Sequence, residues 1–230
     1  MKLISALLTV CALGAFAAEE PNTLTGTEKA AGWKLLFDGK TTVGWVALGS
    51  AQFPEKGWAV EDGALHHSKG GGGGNIVTSE SFEDFELVWE WKIPQGANSG
   101  VKYNFPNPAK DIGFEYQLLD DVNHPDGVRG GRLHQTAGLY DLLEPAADKK
   151  LNPPGQWNTS RILVKGKHVE HWLNGEKTVE FEMGSDALKA AIAKSKFKGV
   201  AGFGEKTKTQ ILIQDHGDEI WVRSLKLRVP

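Results

Sequence analysis

Apolar and polar residues alternate with period two through most of this 230-residue chain from Trp33 onward, which predicts strands separated by short polar turns. Residues 86–93 are the clearest case. Leu87, Trp89, Trp91 and Ile93 share one face, while Glu86, Glu90 and Lys92 share the other. Residues 33–37, 58–60, 64–67, 75–78, 101–105, 113–119, 138–143, 161–164, 168–173, 177–181, 199–203, 210–214 and 219–229 also read as strands. Glu61-Asp62-Gly63 and Asn174-Gly175 are hairpin signals, since their residues tolerate the positive φ of tight turns. Only residues 185–196 carry a helical period. There Ser185 is a candidate N-cap, Leu188, Ala191 and Ile192 fall at helical spacing, and lysines crowd the end that favours cations.

So many short strands with one short helix, and no break in composition, predict a single domain over residues 32–230. Antiparallel strands at this length close best as two packed sheets, so the expected fold is an all-β jelly-roll sandwich. Abundant glycine (28) and tryptophan (8) suit a turn-rich β protein with aromatic platforms. The five glycines at 70–74 are not a dinucleotide fingerprint, because a strand pattern rather than a helix follows them; they are expected to form a flexible loop.

The first residues need separate treatment. Met1-Lys2, the apolar run 3–16 and the small-x-small sequence Ala15-Phe16-Ala17 read as a secretory signal peptide over residues 1–17, followed by a polar leader over 18–31. Val10 before Cys11 argues against a lipidated cysteine. Cleavage would remove the only cysteine, leaving an exported periplasmic or secreted protein without disulfides. The net charge of −3 and the lack of a Lys/Arg block argue against nucleic acid, and no second apolar run could span a membrane.

Candidate chemistry concentrates in 113–126, GFEYQLLDDVNHPD. Glu115 and Gln117 share one strand face, and Asp120, Asp121, His124 and Asp126 follow in a turn-rich segment. Glu115-x-Gln117-x-x-Asp120 has the spacing used by two-carboxylate glycosidases on jelly rolls, although a residue at i+5 faces the other way without a bulge. The acidic cluster could hold calcium or manganese through oxygen ligands. Zinc motifs and G-x-S-x-G are absent. Gln214-Asp215-His216-Gly217 places a histidine beside an aspartate at a strand end, as a general base or metal ligand. Trp172 could stack on a sugar ring, and Tyr140, Asn158 and Arg223 are polar groups on strand-like segments.

Seven pieces in order carry a resemblance: Gly32-Trp33 through Gly44-Trp45; Asn98-Ser99-Gly100-Val101-Lys102-Tyr103; residues 113–126; Leu139-Tyr140-Asp141-Leu142; Gly155-Gln156-Trp157-Asn158; His171-Trp172-Leu173-Asn174-Gly175; and Gln214-Asp215-His216-Gly217 before Arg223. On these the chain resembles the secreted 3-keto-disaccharide hydrolase family over essentially everything after Ala31. It departs at Arg223-Ser224, where many members carry Arg-Asn, and near Asn104, where many carry an arginine or an aromatic residue.

The resemblance implies a concanavalin A-like jelly roll. It also implies cleavage of a glycoside whose 3-hydroxyl a separate oxidoreductase has converted to a ketone. Such a ketone acidifies the C2 proton, so a base can generate an enolate and the glycosidic oxygen can leave by β-elimination before water adds. His216 or His124 is then the candidate base, and Glu115 or Asp120 its partner or acid. Lys102, Gln117, Arg223 or a divalent ion would stabilise the enolate. Two other functions fit the same fold: a lectin-like carbohydrate-binding module, and an ordinary two-carboxylate glycoside hydrolase.

Overall fold

The computed structural model describes residues 20–107 and 110–230, so the expected signal peptide lies outside the described residues. In chain order the elements begin with helix α1 (Gly26–Ala30) and strands β1 (Lys34–Leu35), β2 (Trp45–Ala47), β3 (Trp58–Glu61), β4 (Ala64–His67) and β5 (Ile76–Thr78). β6 (Phe85–Lys92), β7 (Asn98–Tyr103) and β8 (Phe114–Leu119) follow, then α2 (Pro125–Gly130) and a 3-10 turn (Gly131–His134). The chain continues through β9 (Asn158–Lys165), β10 (His168–Leu173), β11 (Glu176–Glu182), α3 (Asp186–Lys194), β12 (Leu212–Ile213) and β13 (Ile220–Arg228).

The strands form two antiparallel sheets packed face to face, the all-β sandwich that the alternating pattern predicts. One sheet runs β11-β10-β9-β6-β13-β4-β3, with β1 also paired to β13; the other runs β2-β5-β12-β7-β8. Inward residues of both sheets, among them Leu87, Trp89, Trp91, Val101, Tyr103, Phe114, Tyr116 and Leu118, make one buried core.

Polar pins cross this core. Tyr116 Oη lies 2.8 Å from Ser160 Oγ, which also accepts from Trp91 Nε1 at 2.8 Å. Tyr103 Oη lies 2.8 Å from His171 Nε2. Burial pushes the His171 pKa down to about 3, so the ring is neutral, and burial also keeps Tyr103 protonated. The hydrogen bond between this hydroxyl and the imidazole joins β7 to β10.

Three sequence expectations need correction. Residues 138–143 form a tight turn with isolated bridges at Leu139, not a strand, and 199–203 is a series of turns. Both runs are apolar because they pack on the core from loops, which periodicity alone does not separate from short strands. The segment taken as a polar leader contains α1, whose Thr25–Glu28 capping box lies beyond the reach of apolar periodicity. α3 starts as expected, with Ser185 Oγ accepting from Leu188 N.

The glycine run is also better built than a flexible loop. Gly74 O accepts from Trp58 Nε1 at 2.8 Å, and Gly74 N donates to Asp215 Oδ2 at 3.0 Å. At Gly57, where φ is +79°, a Cβ would lie 1.7 Å from Gly72 O, so the two backbones touch where side chains cannot fit. Gly57→Ala should destabilise the protein by at least about 2 kcal/mol, measured by urea denaturation, because strain and overpacking add.

Candidate active site

Inward Tyr103, Phe114 and Tyr116 force their neighbours on β7 and β8 to face away from the core. Pairing sets Lys102 opposite Glu115, Gly100 opposite Gln117 and Asn98 opposite Leu119. This outer face is covered, not solvated: Asn98, Lys102, Glu115 and Gln117 are all buried. The roof comes from α2, the Tyr140 turn, the segment after α3, and the 214–218 turn. Gly127 in α2 permits the close seat, since a Cβ there would lie 2.6 Å from Leu119 Cδ2.

Between floor and roof is a polar cavity of about 70 Å³. Lys102, Glu115, Gln117, Tyr140 and His216 line it, as do Asn98, Asp126, Lys196 and Gln214. Three of these residues, Asn98, Gln117 and Gln214, hold a buried carboxamide oxygen with no hydrogen-bond partner. Buried acceptors are rarely left unpaired, which sets these three positions apart.

Glu115 is the central charge. Burial raises its pKa above the ordinary 4.5, against the opposing pull of Lys102, Lys196 and His216. Lys102 Nζ stands 3.6 Å from Glu115 Oε2 and 3.5 Å from Asp111 Oδ2. Gly100 gives the carboxylate its room, because a Cβ there would lie 2.6 Å from Glu115 Oε1.

The roof is a hydrogen-bonded frame. Asp126 accepts from Tyr140 Oη at 3.0 Å and meets His134 Nδ1 at 2.9 Å. Burial works against the Asp126 carboxylate, but those two bonds outweigh it and hold its pKa below the ordinary value. His134 Nε2 lies 3.3 Å from Asp141 Oδ1, and Asp141 Oδ2 accepts from Lys196 N at 2.7 Å. The Lys196 ammonium sits 4.2 Å over the Tyr140 ring.

His216 and His124 meet edge to face, 5.9 Å between ring centres, at the cavity mouth. His216 Nε2 is 3.3 Å from Asn98 Nδ2. His124 caps α2: its Nδ1 accepts from Asp126 N at 3.1 Å. Burial, and then repulsion from His216, push its pKa down, with Asp218 opposing. The neutral ring therefore carries its proton on Nε2, which faces Asp218 Oδ2 at 4.0 Å. That tautomer donates and cannot serve as a base at Nε2.

Asp120 is turned away from the cavity. It accepts from Gly96 N at 2.8 Å, Val122 N at 3.1 Å and Asn123 Nδ2 at 2.7 Å, consistent with its i+5 parity from Glu115. The other sheet carries Arg223, Trp172 and Asn158, so they do not reach the cavity. Arg223 pairs with Glu90 at 2.8 Å and lies 3.9 Å over Trp157. Trp172 donates to Glu170 at 2.8 Å with the Arg161 guanidinium against its ring. Asn158 Oδ1 accepts from Asn152 N and Asn174 Nδ2.

The expected oxygen-rich metal quartet is dispersed. Asp120 serves the turn just described, Asp121 pairs with Lys149 at 2.8 Å, and Asp126 belongs to the roof. His124, His216 and Asp218 instead offer ligand atoms within 4.8 Å of one another, a nitrogen-rich set suited to manganese or zinc more than calcium. Ligation through His124 Nε2 would require the other tautomer and break the α2 cap.

Sequence reasoning missed Asn98, Lys196 and Gln214 as site residues. Asn98 was within reach, since it alternates with Gly100 and Lys102 on the strand facing Glu115. Lys196 had no local signal: it arrives through tertiary packing.

The chain is thus a jelly-roll β-sandwich with a roofed, charged cavity on the outer face of its smaller sheet. Residues 32–228 match the 3-keto-alpha-glucoside-1,2-lyase-like domain, and the chain belongs to that family. A curated relative, a 3-keto-disaccharide hydrolase from Bacteroides thetaiotaomicron, is 33% identical over 92% of this chain and 83% of its own length. A crystal structure of a proposed glycosyl hydrolase from Parabacteroides distasonis superposes with a TM-score of 0.81 at 36% identity, covering 92% of this chain and all of that one. A second proposed glycosyl hydrolase from the same organism gives 0.67 at 30% identity, over 86% of this chain and 99% of its own.

The capping role of His124 is separable from any chemical one. His124→Asn, which retains a strong N-cap, should keep stability within about 0.5 kcal/mol, whereas His124→Ala should lose about 1 kcal/mol in urea denaturation.

Proposed function

We propose that this protein cleaves the glycosidic bond of 3-keto-glycosides, 3-keto-disaccharides included, by elimination and hydration. The carrying observation is the convergence of three unpaired carboxamides on the cavity that holds Glu115, Lys102, Lys196 and His216. Sugar hydroxyls supply the donors those carboxamides lack. Ionised Glu115 takes the C2 proton, and the C–H electrons pass into the C2–C3 bond and onto the C3 oxygen. Lys102 and Lys196 stabilise that enolate by charge. The enolate reforms the ketone as the C1–oxygen bond breaks, and His216 protonates the departing oxygen. Water then adds across the resulting alkene to give the free 3-keto sugar. Glu115 thus replaces histidine as the base, because the His124 tautomer is a donor and His216 stands at the mouth.

The ketone must be installed by a separate oxidoreductase, and the N-terminal sequence fits a protein working outside the cytoplasm. The curated relative's activity supports the substrate class. A second reading rests on one contrast: Glu115 is raised and Asp126 lowered within one cavity, a pattern shared with two-carboxylate glycosidases. Substrate separates the two. Incubation with a 3-keto-disaccharide should consume it through a 2-hydroxy-glycal, while the unoxidised parent stays intact. Turnover of the parent would favour the second reading.

Glu115→Gln should lower kcat by about 10²–10⁴-fold. The base acts ionised, so kcat/KM should fall as pH drops through the raised Glu115 pKa, with its midpoint above 4.5. A wild-type limb at or below 4.5 would remove Glu115 from the role. Gly100→Ala should lower kcat/KM by about 100-fold through displacement of the carboxylate, with an unchanged circular dichroism spectrum.

A further inference from the structure

A second cavity of about 300 Å³ opens beside the first and shares Lys102, Glu115 and Lys196 with it. Its remaining walls are Asp111, Ile112, Gly113, Phe197 and Val200. The two spaces differ in chemistry. All three unpaired carboxamides line the small cavity, and no amide, hydroxyl or imidazole side chain lines the large one among the described residues. Asp111 is already engaged, accepting from Asn75 Nδ2 at 3.2 Å and pairing with Lys102.

The apolar wall is rigid. Phe197 stacks on Phe203 at 4.4 Å and 10°, and Phe203 packs edge-on against Phe114 of β8. Ile112 and Val200 rest on the same core. A carbohydrate in this space would press part of its hydroxyl surface against phenyl and aliphatic wall that returns no hydrogen bonds, with only Lys102, Lys196, Glu115 and Asp111 left to pair with it. A ring without hydroxyls would meet the wall of Ile112, Phe197 and Val200 at no such penalty.

We infer that the larger cavity is the leaving-group subsite and that it selects an apolar, ring-bearing aglycone over a second sugar. The inference rests on the proposed cleavage of 3-keto-glycosides. The ketosugar occupies the carboxamide-lined end, its C1 oxygen lies at the border the two cavities share, still on the side that His216 lines, and the aglycone lies against Phe197 and Val200.

The test compares two 3-keto-glucosides of the same anomeric configuration, one with a benzyl aglycone and one with glucose as leaving group. Benzyl alkoxide is no better a leaving group than a sugar alkoxide, so preference for it reports binding and not intrinsic reactivity. The benzyl compound should have the higher kcat/KM by at least about tenfold, within the range apolar pockets supply. Val200→Ser should shrink that ratio by about tenfold, and Phe197→Ala should do the same if Val200→Ser misfolds. Equal rates, or preference for the disaccharide, would overturn the subsite while leaving the cleavage reaction intact. A ratio unmoved by both folded variants would overturn it as well. Cleavage of neither keto-glucoside, against an intact circular dichroism spectrum, would sink the reaction and the subsite together.

Discussion

Strand parity governs this molecule. Tyr103 and Tyr116 point inward, where their hydroxyls bond across the sandwich, Tyr103 to His171 and Tyr116 to Ser160 and the Trp172 carbonyl. A one-residue slip of β7 or β8 would bury lysine and glutamate in that core and put aromatic rings under the roof. Lys102, Glu115 and Gln117 therefore stand on the outer face as a consequence of how the core is satisfied. Gly100 completes the arrangement by leaving the carboxylate a place to lie.

The chemistry depends on the roof as much as on the floor. Without α2, the Tyr140 turn and the segment after α3, the outer face of β7 and β8 would be wet, and Glu115 would titrate as an ordinary carboxylate. Covering it raises its pKa, and that shift has a thermodynamic sign. A carboxyl raised in the folded state stabilises fully below its unfolded pKa, and that contribution is lost as pH rises through the folded one. Above that raised pKa the ionised Glu115 thus weighs against the fold, and the surrounding lysines offset part of the burden. In its proposed role as base, Glu115 would set reactivity against stability at one residue.

The sandwich was legible because period-two alternation with glycine turns survives in nearly every strand, most plainly at Leu87, Trp89, Trp91 and Ile93. Lys102, Glu115 and Gln117 stood out in the sequence because polar residues on the off-beat of a strand need a reason, whereas Tyr140 and His216 come to the same cavity from turns. Asp120 faces its own turn, as its odd spacing from Glu115 implied. Arg223, Trp172 and Asn158 look like ligand groups in one dimension, but strand order sends them to the opposite sheet, where carboxylates, rings and loop backbone engage them. Lys196 and the pairing of Asp126 with His134 depend on which loops fold over which strands, and no local pattern encodes that.

The position of β13 has a consequence for how the two sheets are tied together. It is the last strand in sequence, yet it lies between β6 and β4, in the middle of the larger sheet. Without residues 220–228 that sheet would be two separate pieces, β11-β10-β9-β6 and β4-β3, each with an open edge. The turn carrying His216 immediately precedes that strand. The strand that closes the larger sheet is thus also the one that anchors one wall of the cavity in the smaller.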